Sequence, residues 1–232
     1  STAVLYGGDY TGRGGEQTRG VENALHSTVT ALGVTALAED GSSENYGLGN
    51  YNVSTATLRS GVFTARGGAD DYALSNELNG TMKAENVTTL AENGSGDNYG
   101  LWNSNNATLV LHSASLTGRG GTNAYGIYNG NGTTLDAESI AALGENGSGD
   151  NYGLYNVSSA EATLRDSSLT GGGGTGARGI YINGSTLEAT SITALAENAS
   201  NSNYGLDNHY GAATTLSGGS FIGRGGQGAI GI

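Results

Sequence analysis

Apolar residues recur along this chain in short runs of three to five, rich in β-branched residues and Leu. Clusters of Gly, Asn, Asp and Ser separate them. No 3.6-residue periodicity is sustained, so the runs predict short strands between turns and not helices. A longer period lies over this pattern. An aliphatic residue returns at regular intervals, at Val21, Leu48, Leu74, Leu101, Ile127, Leu154, Ile180, Leu206 and Ile232. A glycine precedes it every time except at Ala73. An asparagine follows two positions later at Asn23, Asn50, Asn76, Asn103, Asn129, Asn156 and Asn208, with Asn183 displaced by one. Nine copies of one small unit predict a repeat architecture.

Two kinds of unit alternate. One carries a short glycine turn, such as Gly12-Arg13-Gly14-Gly15 or Gly118-Arg119-Gly120-Gly121. The other carries a longer acidic turn, such as Glu39 to Asn45 or Glu92 to Asn98. Each unit holds three apolar runs, among them Thr134-Leu135 and Ile140-Ala141-Ala142 in one unit. Three short strands per coil of about 26 residues predict an all-β right-handed parallel β-helix (a β-solenoid) of about nine coils. It occupies residues 1–232 as one solenoid domain without separate caps. At the usual strand spacing of about 4.8 Å, nine coils make a rod of roughly 43 Å. The chain has no Pro, which suits interior strands that need every backbone N–H. The aliphatic column is then a dry spine. The glycine marks a bend or a close backbone approach. The asparagines form a hydrogen-bonded ladder.

Composition alone would suggest disorder, since Gly contributes 43 residues and apolar residues only 36%. The aliphatic column argues against that, because a disordered tract needs no hydrophobe at so regular an interval. The net charge of −12, with nine basic residues, makes nucleic acid and anionic membrane surfaces poor partners. No apolar run approaches the ~20 residues of a membrane span. The absence of Cys excludes disulfides and thiolate metal sites.

The chemistry on offer is repeated and not localised. Tyr46, Tyr72, Tyr99, Tyr125, Tyr152 and Tyr204 share one column with Arg19 and Arg178. The column reads either as a stack that stiffens the rod or as an aromatic strip for sugar rings. Arg13, Arg66, Arg119 and Arg224 alternate with Glu39, Glu92, Glu145 and Glu197, in a register the sequence leaves open by two residues. Neighbouring, they would form an alternating charge ladder. The acidic turns offer Glu92, Asp97, Glu145 and Asp150 as oxygen ligands for calcium, although the repeat is far longer than the nonapeptide of calcium-binding β-rolls. Asn-X-Ser sequons place glycosylation candidates at Asn93, Asn146 and Asn198. The three histidines, His26, His112 and His209, fall in different coils, and nothing predicts a catalytic group or a resident cofactor.

Strings such as Thr122 to Asn129 (TNAYGIYN) and Asp150 to Asn156 (DNYGLYN) resemble repeats of secreted right-handed parallel β-helix proteins, among them autotransporter-passenger adhesins and bacterial surface or filament proteins. The resemblance covers the whole chain and implies an extracellular or cell-surface structural role. Val4, Leu5, Ile230 and Ile232 lie near the two ends, which read as nearly complementary halves of a coil. That predicts a head-to-tail homopolymer, a heterologous contact that does not close. Against it, the first and last coils both carry the arginine turn. The leading expectation is a structural subunit of an extracellular filament or surface layer. A cell-surface adhesin or carbohydrate-binding stalk, with surface glycans as partners, comes second, and a polysaccharide lyase third.

Overall fold

The structure, a computed structural model, describes every residue from Ser1 to Ile232. It is a parallel β-solenoid of 25 strands. In the fourth coil the first strand is Thr81–Glu85, the second Thr88–Glu92 and the third Asn98–Asn103. Each strand pairs in parallel with its equivalents one coil below and above, as Met82 does with Ala56 and Leu109. First and second strands belong to a 16-stranded sheet, continuous through the long strand Thr186–Glu197. Third strands form a nine-stranded sheet. The predicted fold class is the observed one.

The glycine column works by close approach alone. Gly47, Gly100, Gly126 and Gly153 have no positive φ. A Cβ at Gly100 would lie 2.6 Å from the Thr117 backbone nitrogen and 2.8 Å from the Gly126 oxygen. At these glycines the third strand therefore touches the second strand of the following coil backbone to backbone. Left-handed residues sit instead at the corners. One corner runs Gly14, Asp40, Gly67, Asn93, Gly120, Asn146, Gly173, Asn198, Gly225, all with φ between 60° and 85°. Only Gly, Asn and Asp occur there, the residues that reach this region most easily.

Alternation of the two coil types extends into the core. One inward column of the first strands reads Leu5, Ala31, Leu58, Ala84, Leu111, Ala137, Leu164, Ala189, Leu216, whereas the other, with Val29, Ala56, Met82, Leu109, Leu135, Ala162 and Leu187, does not alternate strictly. One inward column of the second strands reads Tyr10, Ala36, Phe63, Thr89, Leu116, Ala142, Leu169, Ala194, Phe221. In these two columns a large side chain always rests on a small one. Neighbouring layers interdigitate, and Leu58, Phe63, Leu111 and Leu116 are fully buried. The sequence pattern placed the two-coil period in the turns; it also runs through two columns of the core.

The charge register is now fixed. Arg13, Glu39, Arg66, Glu92, Arg119, Glu145, Gly172, Glu197 and Arg224 are direct partners up the second strands. Arg13 lies 2.5 Å and Arg66 2.5 Å from the two oxygens of Glu39, and Arg119 lies 2.7 Å from Glu145. Hydrogen bonding from Arg66, helped by the charge of Arg13, holds the Glu39 carboxyl below the usual carboxylate range. Coil seven interrupts the alternation, because Gly172 stands where arginine is due. A side chain fits there: Gly172 has no positive φ, and an added Cβ meets only Glu145 and Glu197 atoms at 3.9 Å. Gly172→Arg is therefore expected to complete the ladder and stabilise the rod by about 1 kcal/mol, part from the ion pairs and part from the lost backbone freedom of glycine. Thermal unfolding beside Gly172→Ala separates the two parts. A variant no more stable than Gly172→Ala means the ladder contributes nothing there.

Candidate functional site

The polar and aromatic columns are the candidate functional features, and most residues singled out from the sequence fall in them. Asparagine side chains point inward at the end of each third strand. Asn23 donates through Nδ2 to Asn50 Oδ1 at 2.7 Å, Asn50 to Asn76 at 2.8 Å, Asn76 to Asn103 at 2.9 Å, Asn103 to Asn129 at 2.8 Å and Asn129 to Asn156 at 2.8 Å. The same nitrogens reach the start of the first strand two coils on, as Asn76 does at Thr108 O, 3.0 Å away. Six asparagines thus tie their third strands to the first strands two coils on. Asn208 does not join them. Ile182 takes the ladder position in coil seven, so Asn156 meets an apolar neighbour and Asn208 is exposed. The displaced Asn183 turns aside and donates to Tyr181 Oη at 3.3 Å.

A second buried column lies at the start of the third strands, where the sequence pattern gives no more than a link to the acidic turn. Asn98, Asn151 and Asn203 each close their own turn, accepting from the backbone nitrogen four residues earlier at 2.9–3.2 Å and donating back to its carbonyl. Asp71 occupies this column between Asn45 and Asn98 and is fully buried. Its Oδ1 accepts from Asn45 Nδ2 at 2.8 Å and from Gly68 N at 3.2 Å, while Oδ2 has no partner. Burial pushes its carboxyl up from 3.8 to about 6, against the pull of those hydrogen bonds.

The tyrosine column faces outward yet is largely covered. Tyr46, Tyr72, Tyr99, Tyr125 and Tyr152 stack at centroid separations of 4.7–5.1 Å, within 13° of parallel. A second, half-buried stack of Trp102, Tyr128, Tyr155 and Tyr181, with centroids 3.9–5.5 Å apart, stands beside it. Tyr51 extends the cluster by folding back over Gly49, where a Cβ would lie 2.2 Å from its hydroxyl. Arginines close the first stack at both ends. Arg19 lies 5.2 Å from the Tyr46 ring and Arg178 5.4 Å from the Tyr152 ring. Arg178 also pairs with Asp150 and Asp207 at 2.9 and 2.8 Å. Burial alone would lower its pKa, but Tyr152 and these carboxylates hold it above its usual value. Burial likewise holds the stacked phenols above their ordinary range, as do carboxylates such as Asp97 and Asp150, which accept from Tyr99 and Tyr152 at 3.1 Å. Two arginines in a tyrosine column suggest exposure; here they are the caps of the stack.

The remaining candidates are dispersed. Glu92 and Glu145 both turn to Arg119. Asp97 accepts from Asn123 N and Nδ2 at 3.1 and 2.9 Å, and Asp150 binds Arg178. The four calcium candidates are thus committed to protein donors in two separate columns, and no three His, Cys, Asp or Glu side chains converge. Asn93, Asn146 and Asn198 are exposed at the left-handed corner, with glycine in the coils on either side. His112 lies beside Glu138 and His209 beside Asp207, and His26 is exposed. Val4 belongs to an outward column and points sideways from the rod, whereas Leu5 packs against the core. Ile230 and Ile232 are exposed. No helix is long and apolar enough to cross a membrane. No family model, curated protein or solved structure matches the chain.

Both buried columns can be tested by substitution. Asn103→Ala removes the middle of the ladder and is expected to cost about 2–4 kcal/mol in denaturant unfolding, since several buried partners lose a bond. For Asp71, the native carboxyl keeps its proton up to about 6 while the unfolded chain releases it near 3.8. Native stability therefore falls as pH rises through that window, by up to about 3 kcal/mol. Asp71→Ala, which copies the Ala124 and Ala177 of other coils, is expected to lose this fall and to exceed the parent above pH 6. Equal pH dependence in both chains would show that the buried carboxyl does not titrate there.

Proposed function

We propose that this chain is a structural rod, a subunit of an extracellular filament or surface layer that grows along the solenoid axis. The observation that carries the reading is the direction of the hydrogen bonds. The asparagine ladder and the strand pairings all run from one coil to the next. A coil supplied by another chain meets the same backbone donors and acceptors as a coil of this one, so axial stacking extends the strand pairing. The asparagine ladder, by contrast, ends at Asn156, and the charge column has arginine at both ends. The aromatic stacks and the charge ladder add stiffness along the same axis.

The sugar-strip reading has less support. A sugar ring packs on an aromatic face, and here the faces of Tyr72, Tyr99, Tyr125, Tyr128 and Tyr155 are turned to their neighbours in the stacks. Mostly ring edges remain for a ligand. Electron microscopy of the purified chain tests the rod. Unbranched fibres one solenoid wide are expected, lengthening with concentration. Particles of roughly 4–5 nm that never elongate, even when seeded with fragments of assembled material, would overturn end-to-end growth.

A further inference from the structure

The outward face of the second strands carries a regularity that neither the core nor the axial ladders require. Its middle column reads Thr11, Leu37, Thr64, Leu90, Thr117, Leu143, Thr170, Leu195, Ile222. Every second coil thus sets a half-exposed leucine on a sheet face. These leucines pack against no part of the core cluster. The coils that bear them are those with alanine or threonine inside, at Ala36, Thr89, Ala142 and Ala194. They are also the coils with glutamate in the charge column and with the long acidic turn. Coils with threonine outside have arginine (or Gly172) and the short glycine turn. Three alternations on one face, in knob size, charge and turn length, therefore share one phase. The outward columns of the first strands show no such order: Val4, Thr30, Thr57, Lys83, Val110, Asp136.

Such a face is complementary to itself under one operation. We infer that it docks a second copy of this chain, laid antiparallel, about a dyad that runs along the strand direction midway between two coils. That dyad pairs each coil with one of the other type. Every leucine then faces a threonine gap, every glutamate an arginine except opposite Gly172, and every long turn a short one. A dyad placed on a coil would set leucine on leucine and glutamate on glutamate, so the alternation selects the register as well as the partner. The contact is isologous and closes at two copies, unlike axial growth. Eight opposed coils of about 4.8 Å, with strands of about 16 Å, cover roughly 600 Å² on each copy. This is about 1,200 Å² in total, the lower bound of a stable interface.

Sedimentation equilibrium of the purified chain tests this independently of axial growth, because a face-to-face pair stops at two copies whereas end-to-end stacking does not. Leu90→Thr with Leu143→Thr removes two knobs and is expected to weaken the pair at least about tenfold. Thr64→Leu with Thr117→Leu is the sharper arm. It adds apolar surface, so plain hydrophobic adhesion would tighten, whereas filling the gaps holds the faces apart and loosens the pair. Circular dichroism and thermal unfolding check that each variant keeps the parent fold. Half-exposed positions keep the variants foldable, and spin labels at Thr35, exposed in the second coil, report which ends of the two rods lie together. A chain monomeric at every concentration reached, a pair tightened by the added leucines, or labels indicating parallel rods would each overturn the proposal.

Discussion

The constraint on which everything rests is the in-register hydrogen bonding of each strand to its own equivalent one coil away. Parallel pairing at this fixed separation places like beside like throughout the rod. Any side chain is therefore judged by how it sits against a copy of itself or of its two-coil alternate. Asparagine succeeds because its amide is both donor and acceptor and can chain indefinitely. Tyrosine succeeds because offset rings attract. A column made only of glutamates gains no such attraction and repels itself, and the charge column at the end of the second strands is not uniform. It alternates Arg with Glu, and only the arginine-free coil seven leaves two glutamates without a cation between them.

The same logic separates what could be read in the sequence from what could not. The strand positions, the spine at Leu101 and its equivalents, and the ladder from Asn23 to Asn156 follow from period and residue type, because identical residues at a fixed spacing must stack. The glycine column was legible as a need for glycine but not as to which need. A tight turn and a close crossing of two backbones leave the same trace in one chain, and the crossing of Gly100 over Thr117 exists only once the third strand has met the second strand of the following coil. Asn208 was misplaced for a related reason. Asn208 keeps the ladder register, but Ile182 holds that position in coil seven, with Asn183 one residue late, so Asn208 has no asparagine beside it. The direction of the tyrosines was equally hidden, since outward-facing and covered are compatible when each ring is roofed by its neighbours.

The two-coil period had been visible in the turns, yet its reach into the core was not, because inward and outward positions of a five-residue strand interleave. Sorted by face, the second strands exchange apolar volume between their two sides from coil to coil. Phe63 stands inside with Thr64 outside, then Thr89 inside with Leu90 outside. The interior half of that exchange fills space between layers. The exterior half does nothing for a single rod, and an apolar residue kept at a wet position in alternate coils is a cost unless something covers it.

Irregular residues give the rod its addresses. Arg19 and Arg178 fix where the tyrosine stack begins and stops, Ile182 ends the asparagine ladder, Asp71 inserts one buried acid, and Gly172 removes one cation. In a perfect repeat, sliding the chain by two coils would leave nearly every contact intact, so many registers would be close in energy. These departures make such slips unequal. A two-coil slip that moved Asp71 into the place of Thr18 or Ala124 would strand its carboxylate away from the Asn45 amide. One that moved Arg178 out of coil seven would part it from Asp150 and Asp207. The residues that look like defects in the repeat are thus the ones that let a periodic sequence choose a single structure.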